Sequence, residues 1–447
     1  MKLTRSNISR TALFLVLVVC GLLQLKIALF EQSRFSKPRP HARLWRQQIN
    51  PANLTAAAGD ASLFQGRSDK ARHLLQRALT LDPLYIPAWI TLSELEIYLG
   101  KKDAARKILT YIDGRMVDVS RWRWRKTMLA YQLGDEEILA RDLRYAVAEM
   151  TQHRQQALDL AAALWPDAQT RLEKIGSANL LYLFRYSLRP ERLDAALAYW
   201  PGVRSHPELE LRYRLKFIEL LRRDGRFRLA RGIWRQELKS DAILYNGNFA
   251  TPPLQTAFGW RVSKPAGSSW EFMPPSANEP GAFHLNFTGS ENLNYHHLIQ
   301  YFILPPEVNQ DLNPAPNLAA NRVANPDAAA NSNPEANMDA NPAPEPESSP
   351  GRSFTLSGEV RCRGLTTDQR PYFEVVGVNA KQPRAKTPMF AADQDRAEFS
   401  LNFIVPPDCE QVYVRLRRNK SNDINCLIAG DIWVSNLKIR ADGLTND

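Results

Sequence analysis

The stretch GRSDKARHLLQRAL, Gly66–Leu79, decides the fold of the first half of this chain, because variants of it occur twice more at equal intervals. The variants are GKKDAARKILTYI at Gly100–Ile112 and GDEEILARDLRYA at Gly134–Ala146, so the three glycines are 34 residues apart. Glycine tolerates the left-handed conformation that ends many helices, and the apolar residues after it recur with the spacing of one helical face. A period of this length predicts a stack of similar helix pairs.

The repeat resembles that of the tetratricopeptide family. The residues that carry the resemblance and are expected to be structural are Gly66, Ala71, Pro83, Trp89, Gly100, Ala105 and Gly134. The pattern recurs more weakly later in the chain, where Trp200 and Trp234 are again 34 residues apart. Helix pairs are therefore expected over 52–240. The resemblance implies an α-solenoid whose concave surface binds a protein partner and which carries no chemistry of its own.

After residue 240 the hydrophobic pattern changes from a helical period to alternation, which is typical of half-buried strands. Several short alternating segments separated by turn residues predict an antiparallel β-sandwich over 241–441, followed by a tail at 442–447. The expected strands are Ala282–Phe287, Leu298–Leu304, Phe354–Arg361, Tyr372–Val378, Glu398–Val405, Gln411–Arg417 and Ile432–Arg440. The chain is therefore multidomain, α then β.

The segments LYNGNF at Leu244–Phe249, FHLNFTG at Phe283–Gly289 and GDIWVSNLKI at Gly430–Ile439 resemble the galactose-binding-like jelly roll of many carbohydrate-binding modules. The resemblance implies glycan binding, which needs aromatic rings for stacking and planar polar groups for hydroxyls. The candidate glycan-binding residues are Trp260, Trp270, Tyr295, His297, Arg417 and Asn419; core positions for the aromatic residues and solvent exposure for Arg417 are the alternative. Such modules often hold a structural calcium with acids where Ala250 and Ser435 or Asn436 stand here, so no cofactor is expected.

Residues 306–351 interrupt the predicted sandwich. Asparagine recurs there every four residues amid dense Pro and Ala, a composition that cannot bury a core. We interpret this acidic segment as a disordered insert in a surface loop; a tether that folds back on the basic repeats is the alternative.

The N-terminal segment Thr11–Phe30 is long and apolar enough to span a bilayer. It predicts a cytoplasmic N-terminus and transmembrane anchor over 1–30, followed by a basic linker at 31–51. The basic residues of the linker outnumber Lys2, Arg5 and Arg10 and favour a cytoplasmic C-terminus. We nevertheless expect a single-pass protein of the inner membrane with the bulk of the chain in the periplasm, because the second module resembles an extracytoplasmic sugar binder.

The chain lacks the sequence motifs of a phosphate loop, a serine hydrolase or a zinc protease, and no catalytic residue or metal ligand is assigned. Cys362, Cys409 and Cys426 allow either one disulfide with one thiol or three thiols. The formal net charge of +11 attracts polyanions, but a solvated positive helix face explains the basic residues better than nucleic-acid binding.

These features favour a non-enzymatic, membrane-anchored scaffold of a bacterial envelope, in which the repeats bind a protein and the jelly roll binds a glycan, for example in export or assembly of surface polysaccharide. Two alternatives remain. One is a purely structural interaction scaffold; the other is a glycan hydrolase or lyase that uses Glu359 and Glu374 as its paired carboxylates.

Overall fold

The computed structural model describes residues 51–115, 120–277, 279–304, 351–378, 385–406, 409 and 411–442. These residues form two compact units, one ending at Leu183 and the other beginning at Phe184. The predicted anchor at 11–30 lies outside the described residues, as do most of the predicted linker and the predicted insert. Within the described part of the chain, no helix combines the length and apolar character that crossing a membrane requires.

Twelve helices are found in the described residues, and they precede all of the strands. The first unit contains α1 (Pro51–Phe64), α2 (Ser68–Leu81), α3 (Ile86–Tyr98), α4 (Lys102–Asp113), α5 (Ser120–Leu133), α6 (Glu136–Glu149), α7 (Arg154–Leu164), α8 (Ala168–Ile175) and the start of α9 (Leu180–Tyr186). The second unit continues with α10 (Leu193–Val203), α11 (Leu211–Arg223) and α12 (Phe227–Leu238). The predicted order of helices followed by antiparallel strands is confirmed.

The repeated glycines end the first helix of each pair. Gly66, Gly100 and Gly134 have φ of +71°, +76° and +71°, the left-handed region that costs glycine little. At each one the following N–H donates to a carbonyl five residues back, as Arg67 does to Ser62 at 2.9 Å. This pattern closes the end of the helix and turns the chain into the next one.

Small residues let the paired helices approach closely. Ala71 and Ala105 are fully buried, and Gly59 lies so close to α2 that a Cβ would meet the Leu75 side chain at 2.8 Å. In the second pair, the Trp89 Nε1–H donates to the Pro83 carbonyl at 2.8 Å, and its ring lies 4.7 Å from that of Tyr111. The repeat-signature residues therefore act in packing and turns.

A buried ion pair replaces an apolar contact in the third pair. Lys126 is 2% exposed and its Nζ lies 2.9 Å from Asp142 Oδ2 and 2.7 Å from Asp113 Oδ1. Burying a lone ammonium would be costly, and these two carboxylates compensate for it. The third repeat unit therefore departs from the sequence pattern without losing its helices.

Most of the second unit is a sandwich of two five-stranded antiparallel sheets, here called sheet A and sheet B. Sheet A has the order β1-β4-β9-β6-β7 and sheet B the order β2-β3-β10-β5-β8. The strands are β1 (Arg261–Val262), β2 (Ser268–Met273), β3 (Ala282–Thr288), β4 (Tyr295–Ile303), β5 (Arg352–Arg363), β6 (Tyr372–Gly377), β7 (Ala385–Lys386), β8 (Gln394–Val405), β9 (Gln411–Arg418) and β10 (Ala429–Ala441).

Alternate residues of both sheets fill the core between them. On β9, for example, Val412, Val414 and Leu416 are fully buried, so Tyr413 and Arg415 point to the outer face of sheet A. Each large apolar side chain buried in this way contributes about 1.5–3 kcal/mol.

The last helices pack on the sandwich within the same compact unit. Trp234 of α12 is 4% exposed and its ring makes edge-to-face contacts with Tyr245 at 5.2 Å and Phe258 at 5.6 Å. The change from helical to alternating pattern lies near residue 240, but the compact unit that contains the sandwich begins at Phe184. The helices that end the repeat region thus belong to the second unit together with the sandwich.

Candidate functional site

Two of the six predicted glycan-binding residues lie inside the sandwich. Trp260 is 1% exposed, and its Nε1–H donates to the Asn246 carbonyl at 3.1 Å. Tyr295 is fully buried, and burial raises the pKa of its hydroxyl. Neither ring presents a face to solvent, so the structure corrects their assignment: both are core residues.

Trp270 and Asn419 also lie away from any common site. The Trp270 ring, on β2 of sheet B, packs against Phe272 and Phe283 at the edge of the core. Asn419 follows β9, and its side-chain amide donates to the Tyr372 hydroxyl at 3.2 Å. Their contacts are those of structural residues.

His297 and Arg417 do come together on the outer face of sheet A, through His296. The two imidazoles stack with centroids 4.4 Å apart where the pairing of β4 with β9 is irregular. Arg417 Nη1 lies 3.4 Å from His296 Nδ1, and Ser263 Oγ lies 2.8 Å from His297 Nδ1. The irregularity allows two successive histidines to lie side by side instead of on opposite faces.

Beside these histidines lies an open groove, here called the sheet A groove, with a volume of about 640 Å³. Tyr413 and Arg415 of β9 and Tyr301 of β4 project into it, since they lie at outward positions of adjacent strands. The lining residues are Gln255, Arg261, Val262, Ser263, His296, His297, Ile299, Tyr301, Val378, Tyr413 and Arg415. These described residues supply aromatic rings, imidazoles and guanidinium groups, and no carboxylate.

Tyr301 is clamped between two cations at one side of the groove. The Arg222 guanidinium carbon, from α11, lies 4.2 Å from the centre of its ring, and that of Arg261 lies at 4.9 Å. Arg222 also donates to Gln411 at 3.2 Å. These two contacts occupy the Tyr301 ring, which therefore forms a wall. The Tyr413 ring, 5.5 Å from it, has one more distant guanidinium carbon beside it, that of Arg415 at 5.4 Å, and is the better stacking surface.

Two carboxylates hold the cations of the groove in place. Glu219 accepts from Arg222 at 2.9 Å and from Arg261 at 2.5 Å. Burial acts to raise the pKa of Glu219, but the hydrogen bonds and charges of these arginines outweigh it, so the pKa lies below its usual value. Glu374 of β6 is 4% exposed and pairs with Arg415.

The two histidines are held in the neutral form. Burial lowers the pKa of His296, and the positive charges of Arg417 and Arg415 lower it further. Burial likewise lowers the pKa of His297, with a contribution from His296. A neutral imidazole offers one donor and one acceptor, a combination suited to a hydroxyl group.

The residues that the sequence analysis missed are Tyr301, Tyr413, Arg415 and Arg261. Tyr413, Arg415 and Arg417 alternate with valine and leucine along the predicted strand, and this alternation places all three on one outward face. That alternation was the sequence signal from which these outward positions could have been predicted. Arg261 and Tyr301 gave no such signal, because their meeting depends on how β1 pairs with β4.

The carboxylates predicted for a hydrolase are not brought together. Glu359 belongs to β5 of sheet B, where Asn436 donates to it at 2.8 Å, whereas Glu374 belongs to β6 of sheet A. Both point outward, on opposite sides of the two-layer sandwich. Glycosidase carboxylates flank one bond at about 5–10 Å, which two opposite faces do not allow.

Within the described ranges, no three His, Cys, Asp or Glu side chains converge as a metal site would require. Cys362 and Cys426 are free thiols, and burial raises the pKa of Cys362 to about 12. The Cys409 thiol lies 3.5 Å from the Gln411 carbonyl.

No family model and no curated protein matches this chain. Among solved structures, a CBM4 structure is 11% identical over 44% of this chain and 99% of that one, with a TM-score of 0.26. MamA is 13% identical over 43% of this chain and 92% of its own, with a TM-score of 0.25. PilF of Pseudomonas aeruginosa is 15% identical over 44% and 93%, also with a TM-score of 0.25. At such scores these likenesses carry no argument, and the fold rests on the helices and sheets themselves.

Proposed function

We propose that this chain is a non-enzymatic scaffold whose helix pairs bind a protein partner and whose β-sandwich binds a glycan in the sheet A groove. The observation that supports glycan binding is the groove itself. It presents the Tyr413 ring for stacking beside guanidinium and imidazole groups that bind hydroxyls.

A binding role agrees better with the site than a catalytic one. The carboxylate nearest the groove, Glu374, is buried in an ion pair with Arg415 and is not placed opposite a second acid. A purely structural role would give no reason for an open aromatic groove on an outer face.

The protein-binding part of the proposal is supported by exposed aromatic side chains near the end of the first helix in each of the first three pairs. Phe64, Tyr98 and Tyr131 are 93%, 75% and 47% exposed and precede Gly66, Gly100 and Gly134 by two or three residues. Large exposed apolar groups that recur near the same position of a repeat are typical of an interaction surface.

Membrane anchoring through 11–30 and a periplasmic location remain part of the proposal as predictions, because those residues lie outside the described part of the chain. A role in surface polysaccharide export or assembly is likewise a prediction.

Glycan binding is tested with the full-length chain and a glycan array. Tyr413→Ala should weaken the binding of any captured glycan at least tenfold, because it removes the stacking ring; Tyr413→Phe should keep most of it. Tyr98→Ala, the matched control in the repeats, should leave glycan binding unchanged and weaken capture of the protein partner. Absence of any bound glycan, or equal binding by Tyr413→Ala with an unchanged melting temperature, would reject the groove as the site.

A further inference from the structure

The charge of the sheet A groove indicates what kind of glycan it accepts. The part of its lining that the described residues form includes Arg261 and Arg415 but no aspartate or glutamate. A site for neutral sugars commonly uses carboxylates as hydroxyl acceptors, and here that acceptor role is left to neutral groups such as Gln255 and His297. A groove without carboxylates does not repel an anionic ligand.

The groove and its rim carry a surplus of positive charge. Among the described residues, five guanidinium groups lie in or beside the groove, against two carboxylates; they belong to Arg222, Arg223, Arg261, Arg415 and Arg417, and the carboxylates to Glu219 and Glu374. The surplus among these seven groups is three positive charges. Both carboxylates are committed to ion pairs with arginines of this set.

Arg417 is the cation best placed to bind an anion. It is half-buried, lies two residues from Arg415 on the same face of β9, and makes no ion pair among the described residues. The next residue, Arg418, points inward and is fully buried, which fixes the outward direction of Arg417. A guanidinium fork matches a carboxylate in shape and can bind it through two hydrogen bonds.

We infer that the glycan bound by the sheet A groove is a uronic acid polysaccharide, with a carboxylate bound by Arg417 and a sugar ring stacked on Tyr413. This inference rests on the proposed glycan binding. Neutral His296 and His297 contact hydroxyls, and Arg415, held by Glu374, borders the same ring. Carboxylate recognition distinguishes this ligand from neutral glucans and from sulfated chains.

The experiment uses the full-length chain and pairs of polysaccharides that differ only in charge. Alginate, polygalacturonate and hyaluronate are presented beside their carboxyl-reduced forms, together with a neutral β-glucan and dextran sulfate. We expect at least one native uronate to bind, its reduced form to bind at least tenfold more weakly, and the binding to weaken as NaCl rises.

The outcomes separate this inference from the proposed function. Equal binding of native and reduced forms, or binding of the neutral glucan alone, would overturn the inference and leave glycan binding standing. Binding of dextran sulfate without any uronate would also overturn it. Absence of binding to every polysaccharide in this panel and on the wider array would overturn both.

A pair of charge-matched variants assigns the effect to the groove. Arg417→Gln should weaken binding of the native uronate about five- to tenfold and leave binding of the reduced form unchanged. Arg440→Gln removes the same charge from an exposed position on the outer face of sheet B and should change neither by more than twofold. Equal losses in the two variants would show that net charge, not Arg417, is responsible, and would overturn the assignment.

Discussion

At the scale of single residues, the environment of a side chain decided its role more than its type. Trp260 and Tyr295 have the chemistry of a sugar-stacking site but are buried, whereas Tyr413, one strand position away from two core valines, faces outward. His296 and His297 acquire a functional arrangement only because the local strand pairing is irregular. Their low pKa values follow from burial and neighbouring arginines, and have a consequence for stability.

We predict that the stability of the second unit falls as the pH drops below about 6.5, the pKa of histidine in an unfolded chain. The folded state holds His296 and His297 with lowered pKa values, so in this range the unfolded chain binds more protons and unfolding becomes easier. Urea unfolding at pH 7.5 and 5.5 measures the difference. In the double variant His296→Asn, His297→Asn, the difference in unfolding free energy between the two pH values should be smaller. The same difference in the variant and the natural chain would mean that the pKa values of these histidines are not lowered by folding.

At the scale of helices and strands, the sequence predicted what depends on local pattern. The glycines that end helices and the alternation on β9 can be recognised in the sequence, because residues close together in the chain determine both. The groove could not be predicted from the sequence, because it brings together Arg222 of α11, Arg261 of β1 and Tyr413 of β9, which meet only through tertiary packing. Gly225 was also missed: with φ of +82° it ends α11 in the manner of the earlier glycines, outside their regular spacing.

Replacing glycine by alanine should have opposite effects on stability at the two glycines of the last helix pair. Gly225→Ala should lower the free energy of unfolding by about 1–2 kcal/mol, because alanine is strained at positive φ. Gly232 lies within α12, so Gly232→Ala should raise it by about 0.5–1 kcal/mol. A Cβ meets nothing within 4 Å at either site, so packing does not obscure the comparison. Urea unfolding measures both, and shifts of the same sign would contradict the backbone argument.

At the scale of the whole molecule, the boundary between pattern types and the boundary between compact units are different. The sequence pattern changes near 240, yet α10, α11 and α12 belong to the unit that contains the sandwich. The reason is physical: Trp234 is buried by Tyr245 and Phe258, and Glu219 neutralises Arg261. These contacts join residues far apart in the chain, and a sequence pattern does not reveal them.

The two boundaries, near 240 in the sequence pattern and at 184 in the structure, predict different thermal stabilities for fragments cut at each. A fragment of residues 184–447 should melt cooperatively, whereas 241–447 should melt at least about 3 °C lower, because losing the burial of one large apolar side chain costs about 1.5–3 kcal/mol. Circular dichroism on heating compares the two fragments. Trp234→Ala in the longer fragment should reproduce most of the loss, and equal melting temperatures of the two fragments would show that the helices do not stabilise the sandwich.

The chain leaves sheet A at Ile303 and enters sheet B at Arg352, on strands that are not neighbours in either sheet. No hairpin geometry therefore fixes the number of residues between these two points, and lengthening such a connection costs only about 0.6 kcal/mol for each doubling. The connection can therefore gain or lose short repeats without changing the strands on either side of it, and the sequence there does contain a short repeat, an asparagine at intervals of four residues.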